Sequence, residues 1–238
     1  MSKFVSFITA GDPSLEKTRE FIDALAEHSD IIEIGLPFSD PIAEGEVIQA
    51  ANMRALQNGA TTDKIFEMLE TVAFDKIVLL TYLNPVYVYG YDRFFKRCRE
   101  CGVYGVIIPD LPFEERREAA VHADVYGVHL ITMIAPTSAE RVQMLAKNAS
   151  GFIYLVSSMG VTGARDAIKT DLTGIVAQIR EVTDIPVFIG FGISAPAQAD
   201  QMRQLADGII VGSAIVRIIA EYGGDSAPKI KEFIKEML

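Results

Sequence analysis

The chain has 238 residues, 50% of them hydrophobic and 23% charged, with a formal net charge of -10. That size and balance fit a globular α/β domain with a sizeable core and exclude a disordered chain. The acidic balance excludes nucleic acid and an anionic membrane surface as main partners, while backbone amides remain able to hold a phosphate locally.

The N-terminus, Met1-Ser2-Lys3-Phe4-Val5, is expected to enter the fold directly, without a signal peptide, and no apolar run reaches the ~18 residues of a membrane span. The cytoplasm is the expected location. Apolar, β-branched runs then recur at Phe4–Ala10, Ile31–Leu36, Lys76–Tyr82, Gly105–Asp110, His129–Ala135, Phe152–Ser157, Pro186–Gly192 and Gly208–Gly212, giving eight candidate strands. Helical spacing fills the intervals. Leu15–Glu27 follows the first strand, Val47–Gln57 and Asp63–Val72 the second, and Tyr91–Cys101 the third. Glu114–Tyr126, Ala139–Lys147, Asp171–Val182, Pro196–Leu205 and Ile215–Ala220 follow the others, and Ala227–Leu238 closes the chain with Pro228 in its first turn.

Strand–helix alternation of this kind builds βαβ units and a parallel sheet. Eight units predict a (β/α)₈ TIM barrel, with residues 1–238 as a single domain. The competing fold, an open doubly wound sheet, usually carries a glycine-rich fingerprint in its first βα turn. Here that turn is Thr9-Ala10-Gly11-Asp12-Pro13-Ser14, which lacks it.

The two cysteines, Cys98 and Cys101, form a C-x-x-C at the end of a predicted helix. A zinc site needs about four ligands, and a redox pair normally opens a helix, so both read as reduced structural residues. His28, His122 and His129 pair with no plausible serine or cysteine nucleophile, and no clustered metal ligands appear. No metal is expected.

In a barrel the strand C-termini and the loops after them form the active face. Glu33 lies inside the second apolar run, where an unpaired charge is costly, and Asp40 and Glu44 lie on the loop that follows, loop 2. Buried and exposed carboxylates together are raw material for proton transfer. Asp40 also suits a simple turn before Pro41, and Glu44 alone reads as a solvated loop charge. Glycine-rich segments end the sixth, seventh and eighth strands: Gly160-Val161-Thr162-Gly163, Gly190-Phe191-Gly192-Ile193-Ser194 and Gly212-Ser213-Ala214. They serve either tight turns or a phosphate held at short helix N-termini; their position in a barrel favours the phosphate.

Five motifs carry a resemblance to a known family. They are Phe7-Ile8-Thr9-Ala10-Gly11-Asp12-Pro13, Glu33-Ile34-Gly35-Leu36-Pro37-Phe38-Ser39-Asp40-Pro41, the two glycine segments Gly160–Gly163 and Gly190–Ser194, and Val211-Gly212-Ser213-Ala214. In order from about residue 4 to 220, they resemble the tryptophan synthase alpha subunit. The resemblance implies a (β/α)₈ barrel that cleaves indole-3-glycerol phosphate to indole and glyceraldehyde 3-phosphate by a retro-aldol reaction. It implies no cofactor, and transfer of indole to a beta subunit within an αββα assembly.

By position, the resemblance makes Glu33 the general acid/base and places Glu44 where the family usually has an aspartate beside the indole N–H. Gly163, Gly192, Gly212 and Ser213 match phosphate-binding positions. Phe7, Leu80, Tyr82, Ile107, Ile134 and Tyr154 match the substrate pocket. Thr162 matches the threonine of loop 6, after the sixth strand, and Phe38 and Asp40 match the partner-facing part of loop 2. Against the family pattern, Glu44 is one methylene longer than aspartate, Glu46 stands where proline is usual, and Ser158 stands where many members have arginine. The N-terminal helix that precedes the first strand in many members is not expected in residues 1–238. A stand-alone lyase releasing free indole, and a degenerate alpha subunit serving as an allosteric partner module, are the alternatives.

Overall fold

The computed structural model describes residues 2–157 and 172–238. Nine strand segments run through it: β1 (Lys3–Thr9), β2 (Ile31–Gly35), β3 (Ile77–Leu80), β4 (Val103–Ile107), β5 (His129–Leu130), β6 (Thr132–Ile134), β7 (Ile153–Val156), β8 (Val187–Gly190) and β9 (Gly208–Val211). All are parallel, in the order β5-β4-β3-β2-β1-β9-β8-β7-β6. The two ends of that order, β5 and β6, are separated in the chain by Ile131 alone. The sheet therefore closes on itself there, and the amide of Ile131 still bonds to the carbonyl of Val106 at 2.9 Å. The predicted fifth strand is one passage broken at a single residue, and the eight predicted strands make the (β/α)₈ barrel.

Alternation along each strand sorts side chains into two cores. One set, including Phe4, Ile8, Ile32, Ile34, Leu79, Val106, Ile153 and Ile209, packs outward against the helices. The other fills the barrel: Val5, Ile31, Val78, Ile107, Ile131, Phe152, Tyr154, Phe188 and Ile210. Helices form where the sequence supplies both a cap and a stripe. Leu15–Ala26 begins at Ser14, whose hydroxyl accepts from the amide of Lys17, and buries Thr18, Phe21, Ile22 and Leu25. Arg117–Tyr126 ends at Gly127, whose left-handed φ of 65° turns the chain back into β5.

The helix Leu83–Tyr89 was not predicted. It lies between the predicted strand Lys76–Tyr82 and the predicted helix Tyr91–Cys101, and Pro85 falls in its first turn, where proline is tolerated. Other boundaries differ by a few residues: Ser213–Tyr222 is longer than the predicted Ile215–Ala220, and the predicted Ala139–Lys147 opens as a 3₁₀ turn, Pro136–Arg141. Both cysteines are free, Cys98 buried and Cys101 half-buried. No helix among the described residues is long and apolar enough to cross a membrane.

Candidate active site

Glu33 is the third residue of β2, a strand whose five residues are all buried. Phe7 on β1 and Val78 on β3 flank it in register. Its neighbours Ile32 and Ile34 belong to the outer core, so alternation turns Glu33 into the barrel. It is 1% exposed, and its Oε2 has no hydrogen-bond partner. Burial pushes the carboxyl up to about 8, and the nearby charge of Glu44 adds to the rise. At neutral pH Glu33 is therefore mainly a neutral acid in apolar surroundings.

Glu44 sits at the end of loop 2, just before the helix Glu46–Gln57, and is buried rather than solvated. Burial raises its proton affinity, opposed first by a hydrogen bond donated from the phenol of Tyr82. The Tyr82 oxygen in turn accepts from the amides of Ile42 at 3.1 Å and Ala43 at 2.9 Å. Phe38 stacks on the Tyr82 ring, with centroids 5.2 Å apart. Asp40 is exposed and accepts from the hydroxyl of Ser39 at 2.5 Å.

Glu33 and Glu44 open into one cavity at the strand C-termini, with about 590 Å³ of atom-free space counting its mouth. Phe7, Leu80 and Tyr154 line its apolar walls with Ile48, Met133, Phe191 and Ile210, and Gly192, Gly212 and Ser213 lie on the side of β8 and β9. Three glycines here have steric reasons. A Cβ on Gly190 would lie 2.5 Å from the Tyr154 hydroxyl, and one on Gly35 would lie 2.8 Å from the Phe7 ring. Gly192 has a φ of 80° and follows Phe191, whose φ of 77° is strained for a bulky residue.

Two helices start on this side of the cavity. Pro196–Arg203 is entered through a turn in which the Gln198 side chain accepts from Ser194 N at 2.8 Å and Ala195 N at 3.2 Å. Ser213–Tyr222 has no side-chain cap, and its first residue lines the cavity. Its first-turn amides and dipole make that wall favourable to an anion.

This cavity pairs a protonated buried acid and a second carboxylate with an open helix N-terminus, on a barrel's active face. Sequence comparison supplies the lineage. The tryptophan synthase alpha chain family model matches residues 1–237. The tryptophan synthase alpha chain of Lacticaseibacillus casei is 47% identical over 98% of this chain and 90% of its own length. That of Lactiplantibacillus plantarum is 49% identical over 92% of this chain and 85% of its own. The chain belongs to the tryptophan synthase alpha chain family. Among solved structures, the Campylobacter jejuni alpha subunit superposes with a TM-score of 0.89 at 35% identity, covering 100% of this chain and 96% of that one. A chain of the Pyrococcus furiosus tryptophan synthase complex gives 0.90 at 32% identity, covering 100% and 99%.

Against the expectations for this alpha chain family, the structure brings Phe7, Glu33, Glu44, Leu80, Tyr154, Gly192, Gly212 and Ser213 to one cavity. It does not bring Tyr82, Ile107 or Ile134 to the cavity wall. Tyr82 stands behind Glu44. Ile107 pairs in register with Leu80 but packs within the barrel core. Ile134 lies in the outer core, because alternation from the inward-facing Ile131 turns Met133 inward and Ile134 outward. Thr162 and Gly163, with Ser158 and Gly160, lie outside the described residues. The lining residues Ala43, Ile48, Pro109, Met133, Phe191, Ile193 and Ile210 went unassigned in the sequence. Period-two counting would have found two of them, Pro109 from Ile107 and Ile210 from Gly212.

Proposed function

We propose that this chain is a carbon–carbon lyase that cleaves indole-3-glycerol phosphate to indole and glyceraldehyde 3-phosphate, as the alpha subunit of a tryptophan synthase. The observation that carries the residue assignments is Glu33, a buried acid raised to about 8 with an unpartnered oxygen, facing the cavity that the Ser213 helix N-terminus also faces.

Protonated Glu33 gives its proton to C3 of the indole ring. The ring then carries positive charge at its nitrogen, beside the carboxylate of Glu44, which offsets it. The carboxylate of Glu33 takes the proton of the hydroxyl on the carbon attached to C3. The bond between that carbon and C3 breaks, its electrons return to the ring, and the hydroxyl carbon leaves as the aldehyde. One group thus gives and recovers one proton, which suits an acid whose affinity lies near neutral pH. Phe7, Leu80 and Tyr154 hold the apolar ring, and the amides at Gly212 and Ser213 with the Ser213 hydroxyl hold the phosphate. Gly163 and Thr162 are assigned to phosphate binding and to loop 6 by position alone.

The chain works with a beta subunit. A Pyrococcus furiosus relative is described as an α2β2 complex, and it covers this chain in full at 32% identity. Exposed Asp40 and Ile42, the latter 69% exposed, support the reading of loop 2, with Phe38, as the partner-facing segment. Two free cysteines suit the reducing cytoplasm.

The test is indole release from indole-3-glycerol phosphate, with and without a cognate beta subunit. Turnover that the beta subunit stimulates is the expected result. No turnover under either condition sinks the lyase reading, and full activity that ignores the partner favours a stand-alone enzyme.

A further inference from the structure

Tyr82 is 1% exposed and does not reach the cavity, yet its phenol is fully engaged. A phenolic oxygen has one proton to give and two lone pairs to share. Here the amides of Ile42 and Ala43 fill its acceptor side, so the proton is directed to the carboxylate of Glu44. Phe38 packs on the ring face at 5.2 Å, which fixes the ring's orientation. Loop 2 thus wraps around one phenol, and the residue gripped at its inner end is the acid that is one methylene longer than the family pattern.

We propose that Tyr82 is a positioning residue for Glu44: it holds the carboxylate back against loop 2, so the extra methylene is taken up beside the phenol rather than pushing the charge into the cavity. This rests on the reading of Glu44 as the partner of the indole nitrogen. Burial raises the proton affinity of Tyr82, so it stays a donor at every pH where the enzyme works. Its bond also favours the ionised form of Glu44.

The experiment compares the unaltered chain, Tyr82→Phe, Glu44→Asp and the double variant in indole release. Tyr82→Phe should lower kcat about tenfold or more, toward the ~10²-fold that a 1 Å misplacement can cost, with KM changed less than about threefold. It should also move the acid limb of the kcat profile to higher pH, because Glu44 loses a donor to its charged form. In the Glu44→Asp background the same change should cost less than about threefold, since the shorter side chain does not reach the phenol. Equal losses in both backgrounds, or an unmoved acid limb, overturn the proposal. Two measurements need no turnover and keep it separable from the lyase reading. A ¹³C titration should find the Glu44 carboxyl raised in Tyr82→Phe. In the unaltered chain, NMR should find an exchange-protected Tyr82 hydroxyl proton that Glu44→Asp loses. An unshifted carboxyl, or a hydroxyl signal indifferent to Glu44→Asp, refutes it even if the substrate is wrong.

Discussion

Glu33 and Glu44 share one cavity, and a charge on Glu44 raises the proton affinity of Glu33. The coupling separates their duties: the deeper acid keeps its proton near neutrality, while hydrogen bonds from Tyr82 and the backbone favour the charged form of the other.

Glu33→Gln should remove the proton carrier while keeping the side chain's shape. Indole release should fall by at least about 10²-fold, the lower end for general acid–base catalysis, with KM little changed. Steady-state kinetics on the variant decides it, and retained activity would remove Glu33 from the mechanism.

Because the reaction starts from protonated Glu33, kcat/KM should fall as pH rises through about 8. Stability should carry the same signature. The carboxyl's ordinary value is 4.5, so between about 4.5 and 8 the unfolded chain releases a proton that the folded chain keeps. Stability therefore falls with rising pH across that window and levels off above it. Denaturant melts of Glu33→Gln should lack this slope, leaving the variant more stable at pH 8 by an amount on the order of a few kcal/mol. Parallel curves for variant and parent would contradict the buried-acid account.

Ser213→Ala should raise KM for indole-3-glycerol phosphate about tenfold with kcat nearly unchanged, the loss of one hydrogen bond to a charged group. A change in kcat alone would place Ser213 in the chemistry rather than in phosphate binding.

Gly190→Ala should drive a methyl group into Tyr154, whose hydroxyl lies 2.5 Å from the new Cβ position. Overpacking of this kind costs about 1–3 kcal/mol, and the displaced ring would narrow the cavity. Thermal melts and KM should both respond; an unchanged melt would mean that Tyr154 can yield.

Arg54→Ala should destabilise the first βα loop. Asp12 is 1% exposed, and Arg54 grips both its oxygens, Nε to Oδ1 at 2.8 Å and a terminal nitrogen to Oδ2 at 2.7 Å. Breaking a buried pair costs about 3–5 kcal/mol; with the Arg54 side chain 36% exposed, about 2–3 kcal/mol is expected. Urea unfolding measures it, and a loss under about 1 kcal/mol would mean that water replaces the guanidinium.

By itself, the amino-acid sequence determined the strand–helix rhythm and the one carboxylate placed where apolar residues belong. These are local properties: periodicity, burial preference and turn chemistry act over a few residues. What only the tertiary structure decided were matters of phase and distance. Met133 rather than Ile134 faces the cavity, because Ile131 points into the barrel and side-chain direction reverses with every residue. Gly190, legible as part of a phosphate motif, also had to yield space to Tyr154, a residue on the neighbouring strand. The contact between Tyr82 and Glu44 joins positions 38 residues apart, and no local pattern announces it. Read along the chain, Glu44 alone was a solvated loop charge; the fold buried it and set it against a phenol.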